Sequence, residues 1–301
     1  MPKTVLKTHS LTKTYGSFTA LDSVSLTLHQ GDIYGLIGRN GAGKTTFFKC
    51  VMGLAKPSGG TIEIGGKKIS LSSARRQIGF LINSAFFPYL SARQNLEYLC
   101  RVKGIKSKDE VERLLDLVGL SGVKKPFKAF SMGMKQRLGL AGALLGDPPI
   151  VILDEPVNGL DPQGIADIRA IIKRENEQNG TTFMISSHIL GELDLVATRF
   201  GFIEQGRLLQ EISHEDLHQH TKKSLVVGVD DAEKALEVLK KRLKINNVTV
   251  RGKQLMLDNQ IGKSSDIARA LVGAGLELQH LAPQETTLEE YFIRLIGGED
   301  V

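Results

Sequence analysis

Cysteine is scarce in this 301-residue chain, which contains only Cys50 and Cys100. Both lie in apolar stretches with helix-like spacing, so we expect buried free thiols in a reducing cytosol rather than a disulfide or a metal site. Long apolar runs are also missing, since no stretch approaches the ~20 apolar residues that a membrane-spanning helix needs. If the protein works at a membrane, we expect another protein to cross it.

Aromatic residues do not interleave with the basic ones, although that pattern is typical of single-stranded nucleic-acid binding. The net charge of +6 comes from scattered pairs and one tighter cluster, Lys240, Lys241, Arg242 and Lys244. Solvated helix faces explain such residues, and attraction to an anionic membrane surface is the alternative interpretation. We therefore expect no nucleic-acid partner.

A glycine-rich loop stands between an apolar strand and a helix. The strand covers residues 33–37, and the loop that follows it is Gly38 to Thr46. Its glycines let backbone N–H groups turn toward an anion, and the helix adds the positive end of its dipole. This pattern predicts a phosphate-binding loop for a nucleoside triphosphate.

Each side chain of this loop has an expected role. Lys44 is the mobile cation for the β- and γ-phosphates, and the Thr45 hydroxyl is placed to bind Mg²⁺. Tyr15, upstream of the loop, can stack on a purine or belong to the core. Adenine is favoured because the guanine-reading pattern Asn-Lys-x-Asp is absent. The nucleotide-binding residues expected in the loop are Gly38, Asn40, Gly41, Ala42, Gly43, Lys44, Thr45 and Thr46.

A second apolar run, residues 150–153, ends in the carboxylates Asp154 and Glu155. Continuous apolar character is typical of a strand buried on both faces of a parallel sheet, and ligands bind at the carboxyl ends of such strands. Asp154 is therefore placed to hold Mg²⁺ with Thr45, and Glu155 to orient or deprotonate an attacking water. A further strand ends at His188, which either contacts the γ-phosphate or is structural.

Other segments predict local structure only. Val24, Leu26 and Leu28 alternate with polar residues, which indicates one half-buried strand. Helical periodicity after Ser91, a predicted N-cap, indicates a helical insertion at about residues 84–135. Ser131 is expected to cap the next helix, where it forms an anion site with the Gly133 amide or serves simply as a cap.

The last part of the chain contains no phosphate-binding motif. Residues 221–301 alternate between strand and helix patterns, which predicts a βαββαβ module with a terminal helix and a ferredoxin-like layout. We expect its last strand at Leu276 to Leu281, and a capping box formed by Thr286 and Glu289 at the start of the terminal helix. Independent packing, dimer contact and regulation are all open as roles for this module.

Taken in order, these blocks make residues 3 to about 215 resemble the nucleotide-binding subunit of ATP-binding cassette (ABC) transporters. The resemblance implies an α/β fold: a P-loop ABC ATPase domain over residues 1–220, with a mixed sheet core, an antiparallel β subdomain and the helical insertion, followed by the small α+β domain at 221–301. The matching motifs are the phosphate loop Gly38 to Thr45, the signature Ser131 to Arg137, the acidic strand Ile150 to Glu155, the Asp loop Gly159 to Asp161, the switch histidine His188, and Tyr15 at the position where the family stacks adenine.

The resemblance also implies a mechanism that uses ATP and Mg²⁺. Two nucleotide-binding subunits, identical or different, face each other head to tail, and Ser131 and Gly133 of one complete the ATP site of the other. ATP binding closes the pair and hydrolysis releases it, which drives membrane-spanning permease subunits between two conformations. The implied location is cytoplasmic, peripheral on the inner face of the cell membrane. The implied catalytic residues are Glu155, His188, Asn83 and Asp161, and the implied metal ligands are Thr45, Asp154 and Asn83.

Two departures narrow the subgroup. The signature reads Ser-Met-Gly-Met-Lys-Gln-Arg where the broad family begins Ser-Gly-Gly-Gln, and Asn83 occupies the position of the usual glutamine. The segments 78–82, 130–139 and 187–190 are similar to the bacitracin-resistance and lantibiotic self-immunity branch, which commonly has glutamate at the position of Asn83. This similarity predicts export of a peptide antibiotic or another amphipathic compound. The alternatives are a soluble ABC ATPase with a non-transport role, an exporter of lipids or other drugs, and a non-hydrolytic regulatory module.

Overall fold

The computed structural model describes residues 3–68, 77–81, 86–105, 108–187, 190–220, 223–258, 260–285 and 287–297. The chain divides into two compact units, Met1–His214 and Glu215–Val301. The division falls at the start of a short helix that ends at the boundary expected from the sequence, residue 220. Among the described residues, no helix combines the length and the apolar character that crossing a membrane requires.

The first unit contains β-strands, α-helices and a short 3₁₀ helix. Its strands are β1 Thr4–Tyr15, β2 Phe18–Val24, β3 Thr27–His29, β4 Ile33–Ile37, β5 Gly59–Ile64, β6 Lys67–Lys68, β7 Ile78–Leu81, β8 Ile150–Asp154, β9 Thr182–Ser187, β10 Arg199–Glu204 and β11 Arg207–Ser213. Its helices are α1 Lys44–Val51, α2 Ala92–Lys103, α3 Lys108–Leu117, α4 Met132–Leu144, α5 Pro162–Asn179 and α6 Leu190–Asp194, and α7 His214–His220 begins at its last residue. A short 3₁₀ helix covers Phe127–Ala129.

A mixed six-stranded sheet forms the centre of this unit, in the order β11-β10-β4-β9-β8-β7. The pairs from β10 to β7 are parallel, and β11 is antiparallel to β10. Every residue of β4 is buried, as expected for a strand covered on both faces. Because β4, β9 and β8 are parallel neighbours, their carboxyl ends lie at one edge of the sheet. The phosphate loop and the two carboxylates therefore come together.

The expected antiparallel subdomain is a second sheet in the order β2-β1-β5-β6, with β3 also paired to β1. Its apolar face and α1 share one core, in which Leu6, Leu21, Phe47 and Phe48 are fully buried. This shared core fixes the helix that begins at the phosphate loop.

One strand prediction is wrong in this sheet. Val24, Leu26 and Leu28 are all buried as the alternation indicated, but they belong to β2, a break and β3 rather than to one strand. Two hydroxyl groups explain the break. The Ser25 hydroxyl accepts the Ser10 N–H at 2.9 Å, and the Thr8 hydroxyl accepts the Leu26 N–H at 3.0 Å. These backbone N–H groups thus bond to side-chain hydroxyls instead of to the carbonyl groups of a neighbouring strand.

The helical insertion contains α2, α3 and the segment leading to α4. Ser91 caps α2 as expected, and its partner in a complete capping box is Gln94. Arg93 of α2 forms an ion pair with Glu112 of α3. The two helices therefore hold each other by polar contacts at the surface as well as by their apolar stripes.

The buried Asn95 of α2 holds the segment that precedes this helix. Its side-chain oxygen accepts the Phe87 N–H at 2.8 Å. Its amide group donates to the carbonyl oxygens of Phe87 (3.2 Å), Leu90 (3.2 Å) and Ser91 (3.0 Å). With only 1 % of its surface exposed, Asn95 is a buried amide whose hydrogen bonds all go to the backbone of the segment before α2, and it is the acceptor for the Phe87 N–H.

Both cysteines are free and buried, which confirms the expectation for their thiols. Burial is the main cause that raises the pKa of the Cys50 thiol and also of the Cys100 thiol. Neither residue is therefore a reactive thiolate at neutral pH.

The second unit is a four-stranded antiparallel sheet in the order β13-β14-β12-β15, formed by β12 Lys223–Val229, β13 Val248–Arg251, β14 Gln254–Asp258 and β15 Leu278–Glu285. Its helices are α8 Ala232–Leu243, α9 Ser264–Val272 and α10 Leu288–Gly297. This βαββαβ order and strand arrangement confirm the ferredoxin-like layout. The buried side chains of Leu225, Leu239, Leu255 and Ile267 belong to its core.

One detail of the second unit differs from the sequence prediction. The last strand begins at Leu278 rather than Leu276, because the Leu276 N–H bonds to the Leu271 carbonyl and extends the end of α9. The expected capping residue Thr286 lies outside the described residues. At the start of α10, Thr287 and Glu290 each accept the other's backbone N–H at 3.2 Å.

We predict that Asn95→Ala lowers the free energy of unfolding by about 2–3 kcal/mol, because a buried side chain loses all of its hydrogen bonds to the backbone at once and the Phe87 N–H loses its acceptor. Chemical denaturation followed by circular dichroism measures this change. Asn247→Ala, on an exposed loop, is the matched control and is expected to change little. Equal stability of the two variants would contradict the role assigned to Asn95.

Candidate functional site

The phosphate loop joins β4 to α1 and lies close to two neighbouring chain segments. A Cβ atom at Gly38 would lie 2.3 Å from the Ile203 carbonyl oxygen, so only glycine fits there. Gly43 has a φ of +112°, and its Cβ would lie 2.8 Å from the Ala20 carbonyl oxygen. Gly43 caps α1 without a side chain, which leaves the first N–H groups of the helix facing the loop.

Lys44 places a buried ammonium group inside this loop, with 6 % of the residue exposed. Its Nζ donates to the carbonyl oxygens of Gly38 at 2.7 Å and Arg39 at 3.3 Å. The same atom lies 3.7 Å from Glu155 Oε1. The cation therefore lies between the loop backbone and the acidic end of β8.

Thr45, Asp154 and Ser186 form a chain of hydrogen bonds across the sheet edge. The Thr45 hydroxyl donates to Asp154 Oδ2 at 2.8 Å. The Ser186 hydroxyl donates to Asp154 Oδ1 at 2.6 Å, and Ser186 is fully buried. Both carboxylate oxygens of Asp154 are thus oriented, one by α1 and the other by β9.

Glu155 has an unusual backbone. Its φ of +50° lies in the left-handed region, where a residue with a side chain is strained. Its N–H donates to the Ser186 hydroxyl at 3.0 Å. The turn directs the Glu155 carboxylate toward Lys44, and the side chain is 23 % exposed, which lets water reach it.

Ser186 is the residue that the sequence interpretation missed. Its hydroxyl contacts both members of the acidic pair, since it donates to Asp154 and accepts the Glu155 N–H. The signal was topological: a hydroxyl residue at the carboxyl end of the strand beside β8. Only the strand order makes that position informative.

Tyr15, the expected adenine-stacking residue, is the last residue of β1 and is 49 % exposed. Its ring therefore lies at the surface and not in the core, which was the alternative. The exposed ring offers a π-face to a ligand.

The signature residues belong to a different cavity. Ser131 caps α4, and its hydroxyl accepts the Met134 N–H at 3.3 Å. Asp161 caps α5 by accepting the Gly164 N–H at 3.0 Å. Ser131, Gly133 and Asp161 line one cavity of about 420 Å³, whose lining includes no residue of the phosphate loop.

The structure thus brings together the loop residues, Asp154 and Glu155, and it places Ser131, Gly133 and Asp161 elsewhere. Asn83 and His188 lie outside the described residues. Their predicted roles stay predictions.

The residues at the sheet edge fit ATP and Mg²⁺. Gly38 and Gly43 let the loop pass close to neighbouring carbonyl groups, and the buried Lys44 ammonium lies inside the loop, where it can bind an anion. The Thr45 hydroxyl and the Asp154 carboxylate are oxygen donors, which are the ligands that Mg²⁺ prefers.

Comparison with known proteins assigns the family. Residues 21–158 match the family model described as ABC transporter. The chain is 38 % identical to the bacitracin transport ATP-binding protein BcrA of Enterococcus faecalis over 298 residues, covering 98 % of this chain and 97 % of that one. It is 40 % identical to the lantibiotic transport ATP-binding protein SrtF of Streptococcus pyogenes over 212 residues, covering 70 % and 92 %.

The comparison with a solved structure assigns the same family. An ATP-binding cassette solved as a dimer in a post-hydrolysis state with ADP and phosphate superposes with a TM-score of 0.63 at 26 % identity. The superposition covers 69 % of this chain and 98 % of that one.

We predict that Ser186→Ala lowers kcat for ATP hydrolysis about 10- to 100-fold, because Asp154 and the Glu155 backbone lose their common partner. The dissociation constant for ATP measured without Mg²⁺ is expected to change by less than about threefold, since the hydrogen bonds of this hydroxyl go to Asp154 and to the Glu155 N–H. Steady-state kinetics and calorimetry measure the two quantities. A wild-type kcat in the variant would show that Ser186 does not position the pair.

The motif order, the arrangement at the sheet edge and the match over nearly the full length all agree. The fold is that of an ATP-binding cassette, and the chemistry of the site is that of a nucleoside triphosphatase. The chain belongs to the ATP-binding subunits of ABC transporters and is an ATPase of that family.

Proposed function

We propose that this ATPase powers the export of a peptide antibiotic, or of another amphipathic compound, through separate membrane permease subunits. The observation that carries the proposal is the extent of the match to the bacitracin transport protein, 98 % of the chain. That match includes the second unit, whereas the match to the lantibiotic transport protein covers 70 %. Both units of this chain therefore have a matching sequence in a protein named for bacitracin transport.

Nucleotide binding is the first step of the proposed mechanism. The loop amides from Gly38 to Thr46 bind the phosphates, and Tyr15 stacks on adenine. Lys44 exchanges its bonds with the Gly38 and Arg39 carbonyls for bonds with phosphate oxygens. Such an exchange is favourable because phosphate oxygens carry negative charge, whereas the carbonyl oxygens are neutral, so the ammonium gains an ion–ion attraction.

Mg²⁺ would be held by Thr45 and Asp154, with Asn83 as a further contact implied by the family pattern. The ion would supply neutralisation of the charge on the β- and γ-phosphates. Ser186 keeps the Asp154 carboxylate in one orientation, so the ligand is arranged before binding.

Hydrolysis uses Glu155 as the general base in this proposal. The carboxylate accepts a proton from the attacking water, and the water oxygen bonds to the γ-phosphorus as the bond to the β-phosphate oxygen breaks. The Glu155 side chain reaches the site because its backbone is held in the left-handed region by Ser186. His188 contacts the γ-phosphate.

A second copy, or a related subunit, completes the site. Ser131 and Gly133 line a cavity that includes no residue of the phosphate loop, so their use in ATP binding requires another subunit. Asp161 lines the same cavity, and the family pattern implies a catalytic role for it. The dimeric cassette with ADP and phosphate supports this arrangement.

The proposed location is the cytoplasm, at the inner face of the cell membrane. ATP binding closes the dimer and hydrolysis opens it, so the differential affinity of ATP for the closed state does work on the permease. No nucleic acid takes part.

We predict that Glu155→Gln lowers ATP hydrolysis by roughly 10²–10⁴ and leaves ATP binding intact, because the amide cannot accept the proton. Phosphate release and calorimetry measure the two effects. Glu177→Gln, on the exposed side of α5, is the matched control and should hydrolyse ATP normally. Unchanged turnover in the Glu155 variant would remove Glu155 as the base.

We further predict that the tagged chain copurifies with multi-span proteins encoded by neighbouring reading frames when they are expressed together and extracted in detergent. Cells carrying this complex should tolerate more bacitracin, and Glu155→Gln should abolish that tolerance. Copurification without tolerance would favour export of lipids or other drugs. Failure to capture any membrane subunit would favour a soluble ABC ATPase with a non-transport role.

A further inference from the structure

Lys13 lies over the ring of Tyr15 near the end of β1. Its Nζ is 4.6 Å from the centroid of the ring. Residues two apart on a strand lie on the same face, which brings the ammonium over the aromatic face. The distance is within the range of a cation–π interaction, so Lys13 occupies one side of the ring.

The same ammonium is fixed at a second point. Lys13 Nζ donates to the carbonyl oxygen of Lys56 at 2.9 Å. The segment that carries Lys56 is itself tied to β1, because the Ser58 N–H donates to the Thr12 carbonyl at 2.8 Å and the Thr14 N–H donates to the Ser58 hydroxyl at 3.0 Å. Lys13 is therefore held between a ring and a fixed carbonyl and does not extend freely into water.

The residues just before Lys56 are hydrogen-bonded to α1, the helix that follows the phosphate loop. The N–H groups of Leu54 and Ala55 both donate to the Lys49 carbonyl in the last turn of α1, at 2.8 and 3.0 Å. The first turn of α1 carries Lys44 and Thr45. A continuous set of bonds thus runs from the Tyr15 ring through Lys13 and the end of α1 to the helix that holds the phosphates.

We propose that Lys13 is a positioning residue for the base of the nucleotide. It fixes the Tyr15 ring relative to α1 and covers one face, so that a purine stacks on the other face while its phosphates reach the loop. The proposal rests on the proposed function, in which Tyr15 stacks on adenine. The half-exposed ring leaves a face on which that stacking can occur.

The expected size of the effect is the entropic cost of ordering the Tyr15 side chain. If the ring is not fixed beforehand, it must become ordered when the base binds, which costs about 0.5–1.5 kcal/mol of binding free energy and corresponds to a roughly two- to tenfold weaker affinity. This cost falls on the base end of the ligand, because Lys44 and the loop amides hold the phosphates independently of Lys13. A ligand that has phosphates and no base should therefore be insensitive to Lys13.

The test compares Lys13→Met, which keeps an unbranched apolar side chain but removes the cation, with Lys13→Arg, which keeps a cation that stacks on aromatic faces. Lys67→Met, at an exposed position of β6 in the same sheet, is the control. Calorimetry measures the affinity for ATP and for inorganic tripolyphosphate, and steady-state kinetics gives KM and kcat.

For Lys13→Met we expect the dissociation constant and KM for ATP to rise two- to tenfold, with kcat within about twofold and tripolyphosphate affinity unchanged. Lys13→Arg should restore the ATP affinity, and Lys67→Met should match the wild type. A wild-type ATP affinity in Lys13→Met would overturn the proposal. So would equal weakening for ATP and tripolyphosphate, or a lower melting temperature with unchanged KM, which would mean that Lys13 only stabilises the fold.

Tyr15→Ala separates this inference from the proposed function. If Tyr15→Ala weakens ATP relative to tripolyphosphate and Lys13→Met does not, stacking stands and the role of Lys13 is wrong. If Tyr15→Ala has no such effect, stacking on Tyr15 is wrong and the role of Lys13 is wrong with it.

Discussion

The parallel pairing of β9 with β4 on one side and β8 on the other is the constraint on which the ATP site depends. Its register places Ser187 beside Ile37, the last residue before the phosphate loop, and Ser186 beside Asp154. The loop, the hydroxyl and the carboxylate therefore reach the same edge of the sheet. A slip of one residue in β9 would turn Ser186 to the opposite face and remove the bond that orients Asp154.

Charge within the site is balanced by short-range contacts. Lys44 is almost completely buried, and an isolated buried ammonium would be very costly. Two loop carbonyls and the nearby Glu155 carboxylate offset that cost. The fold thus keeps the cation buried with two carbonyl oxygens at hydrogen-bond distance and the carboxylate slightly farther away.

The sequence predicted most of the fold because its strongest patterns are local. Apolar runs gave β4 and β8, and the Ser91 and Ser131 caps began the expected helices. The predicted strand through Val24, Leu26 and Leu28 is wrong because hydroxyl groups compete with the strand ladder for backbone N–H groups, as those of Thr8 and Ser25 do. The roles of Asn95 and Ser186 depend on distant neighbours, which no local pattern contains.

The backbone of Glu155 has a consequence for how this protein can change over time. A left-handed conformation at a residue with a side chain costs of order 1–3 kcal/mol, and glycine would adopt it without that penalty. Glycine would also remove the carboxylate that offsets the burial of the Lys44 ammonium, so the two effects on stability oppose each other. The strained backbone and the buried cation are therefore linked, and a substitution that relieves the first leaves the second less well compensated.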